Sequence, residues 1–149
     1  MQILDFFQCS EQARWIEQIR QGDWRAATYL AELLETGKFL SLTGGGTVYL
    51  LVDGEKLVSF VTLTHQDCID APECFPWLGF FFTFPEYRGH RYGGILLDHA
   101  TKEAGKQGYL RVYICTDHVG LYDKYGFTYL ENRVSIYGED SRVYIRSTT

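Results

Sequence analysis

Several classes of protein are excluded by what this chain lacks. No apolar run approaches the roughly 20 residues that a membrane-crossing helix requires, so no spanning segment is expected. The opening residues Met1-Gln2-Ile3-Leu4-Asp5 show no basic stretch followed by an apolar core, the mark of an export signal. A cytoplasmic location is the expectation. Cysteine is scarce and scattered: Cys9, Cys68, Cys74 and Cys115 form no Cys-x-x-Cys pair and no zinc spacing with histidine. Four unbridged thiols and no metal are expected, with Cys115 acting as a small hydrophobe in a strand. Basic residues are outnumbered, 14 against 19 acids, and dispersed except in one loop; the net charge of -5 speaks against a nucleic-acid partner. An acidic surface suits a cationic partner such as an amine. Two phosphate motifs are absent as well, the Gly-Lys-Ser/Thr loop and Gly-x-Gly-x-x-Gly in a βαβ unit.

What is present points to one compact unit. A length of 149 residues suits a single domain, 1–149, able to bury most of its unfolded surface. The 46% hydrophobic content excludes a disordered chain, and 16% aromatic content predicts a core packed with rings.

Periodicity gives the element order. Ala13, Ile16 and Ile19 predict a helix over 10–20 capped by Ser10, and Ala27, Leu30, Leu33 and Leu34 a second over 24–35 capped by Asp23. The break at Thr43-Gly44-Gly45-Gly46 precedes two strands, 47–52 and 56–63, joined at Asp53-Gly54. Residues 64–76 read as an acidic loop. A strand at 77–84, a helix at 92–106, a strand at 109–116, a short helix at 118–125 and closing strands at 127–130 and 142–147 complete the chain. Mixed strands and helices around a βαβ unit predict an α/β fold.

The segment Phe80-Phe81-Phe82-Thr83-Phe84-Pro85-Glu86-Tyr87-Arg88-Gly89-His90-Arg91-Tyr92-Gly93-Gly94 carries the most chemistry. A buried strand runs into a basic, glycine-rich turn and then a helix N-terminus, where backbone N–H groups and the helix dipole favour an anion. A phosphate-bearing cofactor fits such a place.

This turn resembles the pyrophosphate loop of the GCN5-related N-acetyltransferases (GNAT), which use acetyl-coenzyme A. Tyr87, Arg88, Gly89 and Gly93 match its Tyr-Arg-Gly-x-Gly-x-Gly form, and Arg91 replaces the middle glycine. About 30 residues on, Leu121-Tyr122-Asp123-Lys124-Tyr125-Gly126-Phe127 resembles the Leu-Tyr-x-Lys-x-Gly-Phe segment that closes the family's core. The resemblance covers residues 47–130 well and the N-terminal 40 by helix pattern. It implies a mixed, mostly antiparallel sheet with helices on both faces, splayed into a V between two parallel strands, here 77–84 and 109–116. Gly79 is a candidate for a bulge that helps open the sheet.

The resemblance implies acetyl-CoA as co-substrate. Phe82, Thr83 and Phe84 would pair with its pantetheine arm, and Arg88, Gly89, His90, Arg91, Tyr92, Gly93 and Gly94 would hold its phosphates. Tyr122 would protonate the departing thiolate, with His118 a second catalytic candidate. Relatives often carry an asparagine seven residues before that tyrosine, where this chain has Cys115, and a glutamate on the first splayed strand, where it has none. The base that frees the attacking amine must then come from Asp67, Glu73, Asp117, His118 or water. Residues 10–40 and 66–73 would line the acceptor cleft, with Trp24, Tyr29, Phe39, Phe75 and Trp77 either lining it or filling the core. Acetyl transfer to a primary amine of a small molecule is the leading expectation. A non-catalytic acyl-CoA-binding module and a protein or peptide acetyltransferase are the alternatives. Dimers are common in the family, and a C-terminal strand bearing Tyr137 and Tyr144 is the surface on which a homodimer could form.

Overall fold

The computed structural model describes residues 1–149. Seven strands form one sheet in the order β1-β2-β3-β4-β5-β7-β6. They are β1 (Gln2–Asp5), β2 (Gly46–Asp53), β3 (Lys56–Thr64), β4 (Trp77–Thr83), β5 (Arg111–Thr116), β6 (Thr128–Val134) and β7 (Asp140–Ser147). All neighbours are antiparallel except β4 and β5, which are parallel and joined through a helix. The helices are α1 (Gln12–Arg20), α2 (Arg25–Glu35), α3 (Phe39–Thr43) and α4 (Tyr92–Lys106).

The central strands read as nearly unbroken apolar runs because both faces of the sheet are covered. Along β2, Val48, Leu50 and Val52 join a core with Trp15 and Ile19 of α1 and Leu30 of α2. Tyr49 and Leu51 point the other way, toward Leu96, Leu97 and Ala100 of α4. Each fully buried leucine of this kind stabilises the fold by about 1.5–3 kcal/mol. A third, smaller cluster joins Ile69, Ala71 and Cys74 to Trp77, Tyr113 and Val143. With the bond from Trp77 Nε1 to the Cys74 carbonyl (2.8 Å), it pins the loop between β3 and β4 onto the sheet.

Several expectations need correction. Neither Ser10 nor Asp23 caps a helix: α1 starts after Glu11 and α2 after Trp24, and no side chain caps either one. Strand β1 and helix α3 are too short to show a period, and α3 is ended by Gly44 in the left-handed region. The helix expected over 118–125 shrinks to one turn, Asp123–Tyr125, ended by left-handed Gly126. β5 begins at Arg111, since Tyr109 donates its N–H back to Ala104 to close α4. The closing strands are longer than expected, and Tyr144 is buried in β7, between β5 and β6, leaving β6 as the edge. Only Tyr137 of the two tyrosines is exposed.

Candidate active site

β4 and β5 pair only at Trp77–Tyr113 and Leu78–Ile114, and then part. A bulge accompanies the parting. On β4, Phe80 and Phe81 together stand opposite Val61 of β3, a bulge in which Phe80 adopts a left-handed φ of 48°. Beyond the bulge, the β4 backbone no longer has β5 as a partner. A cleft of about 1330 Å3 opens there, and the N-terminus of α4 faces it.

One arm of the cleft is the turn into α4. Phe82, Thr83, Arg88, Gly89, Arg91, Tyr92 and Gly93 line it, while Phe84, His90 and Gly94 do not. The N–H of Phe84 is committed to the Val58 carbonyl of β3 (3.0 Å), and His90 stacks on Tyr92. No protein acceptor receives the N–H of Gly89, His90 or Arg91. With the free N–H groups of the first turn of α4, they form an anion-binding concavity. Arg88 bonds from Nε to the Thr83 carbonyl (2.8 Å) and lies over the Phe82 ring, which ties the turn to the end of β4. Arg91 holds a φ of 62° at the start of α4, so an arginine keeps the conformation that a glycine would adopt more easily. Gly93 and Gly94 have a packing reason too: a Cβ on Gly93 would lie 2.4 Å from Phe81, and one on Gly94 3.1 Å from Tyr125. The fit to a pyrophosphate thus rests on unpaired N–H groups and two guanidinium side chains at one helix end.

The other arm is acidic and aromatic. Asp23, Asp70, Asp117 and Glu139 line it, with Trp24, Tyr29 and Tyr137 and one basic residue, Arg25, beside Trp24. Trp24 is stacked on Phe82, their centroids 5.8 Å apart and their planes 7° from parallel. Of the other aromatics, Phe39 and Trp77 are core, and Phe75 does not line the cleft but packs on His65, which does.

Between the arms sits Asp67. A Cβ on Gly79 would stand 2.2 Å from its Oδ2, so the loop carboxylate fills the space that a side chain on β4 would occupy. This close approach, with the bulge one residue later, is what Gly79 serves. The N–H of Cys68 donates to Asp67 Oδ1 (2.6 Å). Burial nevertheless holds the carboxyl above its ordinary pKa, against the lowering effect of the bonds from Cys68. The hydroxyl of Thr62, which has no partner, borders the same space.

Asp117 and His118 also reach the cleft but are exposed, and the N–H of His118 donates to Thr116 Oγ1 (3.0 Å). Glu73 lies outside it and pairs with Arg133 at 3.0 Å. Hydrogen bonds from its own backbone and from Arg133 keep it ionised below the usual carboxylate range. Tyr122 is buried among Phe81, Phe127 and Tyr144 and lines the cleft, and its hydroxyl makes no hydrogen bond in the protein. Burial first, and the neighbouring Cys115 second, push its ionisation up, so the phenol keeps its proton.

The cysteines scattered in the sequence are not all scattered in space. Cys68 and Cys115 are in contact at 3.0 Å between sulfurs, and Asp67, Cys68 and Cys115 each present a metal-ligating atom within 4.8 Å of the others. No sequence spacing marks this trio, because the loop and β5 are brought together only by the sheet. No helix is long and apolar enough to cross a membrane.

The family model of the acetyltransferase (GNAT) family matches residues 10–127. No curated protein matches the sequence. Among solved structures, the aminoglycoside 6'-N-acetyltransferase from Enterococcus faecium superimposes with a TM-score of 0.73 at 15% identity, over 100% of this chain and 98% of that one. An aminoglycoside 6'-N-acetyltransferase complexed with coenzyme A gives 0.71 at 15% identity, over 100% and 98%. A GNAT family acetyltransferase from Elizabethkingia anophelis with acetyl-CoA bound gives 0.68 at 15% identity, over 98% and 97%. At such identities the likeness carries the fold, and the expected splayed sheet is borne out. The family model spans most of the chain and carries the expected enzyme class with it: this protein belongs to the acetyltransferase (GNAT) family.

Proposed function

We propose that this chain transfers the acetyl group of acetyl-coenzyme A to a primary amine of a small cationic molecule, by direct attack of the amine on the thioester. The observation that carries the reading is the division of one cleft into an anion-binding turn and an acidic, aromatic wall with a carboxylate between them. Solved structures of the same fold bound to coenzyme A or acetyl-CoA support the cofactor, and the two aminoglycoside enzymes are consistent with a cationic acceptor.

The turn from Arg88 to Gly94 is suited to grip the pyrophosphate. The edge of β4 that β5 leaves open near Phe82 and Thr83 is suited to pair with the pantetheine arm through N–H groups, much as an added strand would, since the Phe82 and Thr83 carbonyls already accept from Ser59 Oγ and Arg88 Nε. Trp24, Tyr29 and Tyr137 offer ring faces to the acceptor, and Asp23 and Glu139 offer charge to its ammonium groups. Walls from α2 and from the β6–β7 turn flank this arm on two sides, which favours a small acceptor over a folded protein.

Asp67 is the general base in this scheme. Its raised pKa lets it accept a proton from the ammonium near neutral pH more readily than an ordinary carboxylate. The amine nitrogen then bonds to the thioester carbonyl carbon. A backbone N–H near Thr83 can stabilise the oxyanion. Collapse breaks the carbon–sulfur bond, and the Tyr122 hydroxyl donates its proton to the departing thiolate. The exposed His118 and Asp117 are left to solvent or to acceptor binding.

Calorimetry with acetyl-CoA on wild type and Arg88→Ala, followed by thiol release across a panel of amines, tests the reading. Micromolar binding weakened by Arg88→Ala, with amine-dependent thiol release, is the expected result. Binding without release for any amine would favour a non-catalytic acyl-CoA-binding module. No binding would overturn both.

A further inference from the structure

Two cysteines that the proposed acetyl transfer does not use sit at its centre. Cys68 lies in the β3–β4 loop and Cys115 on β5, 47 residues apart in the chain, with their sulfurs 3.0 Å apart. That is inside the roughly 3.5–4.0 Å of an ordinary non-bonded contact between carbons and about 1 Å from a sulfur–sulfur bond. Neither of the other two thiols hydrogen-bonds to a sulfur: Cys9 donates to the Asp5 carbonyl, and Cys74 is packed with Trp77 and Tyr113. Both Cys68 and Cys115 are half-buried and line the cleft, so a small oxidant reaches them by the route an acceptor would take.

We propose that Cys68 and Cys115 form a reversible intramolecular disulfide across the acceptor side of the cleft, made by exchange with a low-molecular-weight disulfide such as glutathione disulfide. The pair is a modification site in its own right. Cys68, as thiolate, attacks one sulfur of the reagent; its bond to that sulfur forms, the reagent's sulfur–sulfur bond breaks, and one glutathione leaves with the proton Cys68 gave up. Cys115 acts second, because its neighbouring thiol, burial and Asp67 all hold its proton on. Asp67, whose Oδ1 lies 4.0 Å from Cys115 Sγ, takes that proton as Cys115 attacks Cys68 Sγ. The second glutathione departs and is protonated in turn. Two protein thiols are oxidised and one disulfide is reduced to two thiols, so the exchange balances.

The bond also has a consequence for the reaction, which rests on the function proposed above. The Cys68 N–H holds the Asp67 carboxylate at 2.6 Å, and the Cys68 carbonyl is held by the Ile136 N–H at 2.8 Å. Closing the sulfurs pulls this residue toward β5 and removes the thiol proton that faces Asp67. The carboxylate loses its position, and transfer slows.

The experiment treats the purified full chain with glutathione disulfide, alkylates the remaining thiols and maps the peptides by mass. The expected result is a linked pair of peptides containing Cys68 and Cys115, with two of the four free thiols lost and both recovered on reduction. Four thiols that stay free, or glutathione adducts with no linked pair, would overturn the proposal. Cys68→Ser and Cys115→Ser, made separately so that one misfolded variant does not decide the matter, must each abolish the linked pair. In a parallel assay, oxidation should lower wild-type thiol release by about 10-fold or more, within the range a displaced base produces, and reduction should restore it. The ratio of oxidised to untreated rate should stay near one in either serine variant. A linked pair with an unchanged rate would remove the regulatory consequence and leave the site standing. A chain inactive in every form would count against the proposed function alone, since the peptide map is read without turnover.

Discussion

The two arms of the cleft are built on opposite plans. The arm proposed for the cofactor is contiguous: residues 82–93 supply its strand end, its turn and its helix start, and it presents backbone N–H groups that no protein acceptor takes. The arm proposed for the acceptor is assembled from α2, the β3–β4 loop, the end of β5 and the β6–β7 turn, and it presents side chains. A contiguous, backbone-built site tolerates change in its side chains. A dispersed one depends on each of its contributors, and on the sheet that gathers them.

The sharpest break should come at Asp67. Replacing it in Asp67→Asn should lower turnover by about 10²–10⁴-fold and leave acetyl-CoA affinity near wild type, as steady-state rates and calorimetry would show. The carboxyl should also set the pH response. Its raised pKa means that wild-type turnover climbs with pH through a midpoint above the roughly 3.9 of a free aspartate. Between the unfolded and the raised folded value, the native chain binds a proton that the unfolded chain has lost, so stability falls as pH rises through that window. Denaturant melts across pH should show this fall in wild type and its absence in Asp67→Asn.

Next in size is Gly79→Ala, which adds a methyl where Asp67 Oδ2 already stands. Turnover should fall by about 10²-fold if the carboxylate is pushed from its place, and stability by about 1–3 kcal/mol from overpacking. Wild-type turnover in this variant would show that the base lies elsewhere. Tyr122→Phe should cost turnover about 10-fold or more with little change in cofactor binding. An unchanged rate would remove the acid from the scheme.

The cofactor arm should respond more gently. Arg88→Ala should raise the dissociation constant for acetyl-CoA by about 10-fold or more, in keeping with a charged hydrogen bond of about 1.5–3 kcal/mol. The smallest effect is expected at Arg91→Gly. Relief of a left-handed arginine, worth about 1–2 kcal/mol, is partly offset by the freedom a glycine gains on unfolding. A slight rise in melting temperature, with an affinity loss smaller than that of Arg88→Ala, would mark Arg91 as an auxiliary contact.

The same contrast explains what was legible in the residues. The Arg88–Gly94 turn and the Tyr122–Phe127 segment are local, so their pattern survives in one dimension, and the α4 and β2–β4 apolar runs mark the core around them. Ser10 and Asp23 failed as caps because a residue type that can cap is common, whereas its geometry depends on the chain entering the helix. Strand β1 carries four residues and no period, and its place at the edge is fixed by pairing with β2. Asp67 stood among four candidate bases, two of them in the same polar loop, with nothing to single it out. What sets it apart is its approach to Gly79 across the strand gap, and a glycine in a strand announces only that something comes close. The approach of Cys68 to Cys115 is invisible for the same reason, since loop and strand meet only after the sheet has formed.

That glycine has a consequence for how such a protein changes over time. β4 is constrained on every side: its backbone is shared with β3, its bulge opens the sheet, and its rings fill two cores. A reactive group rooted on β4 could be altered only by disturbing all of these. Here the strand contributes a blank, and a loop pinned by its own small cluster lends the carboxylate that fills it. Reach, acidity and neighbours of that group can therefore be revised by substitutions in the loop, one at a time, while the sheet that holds the cleft open stays as it is.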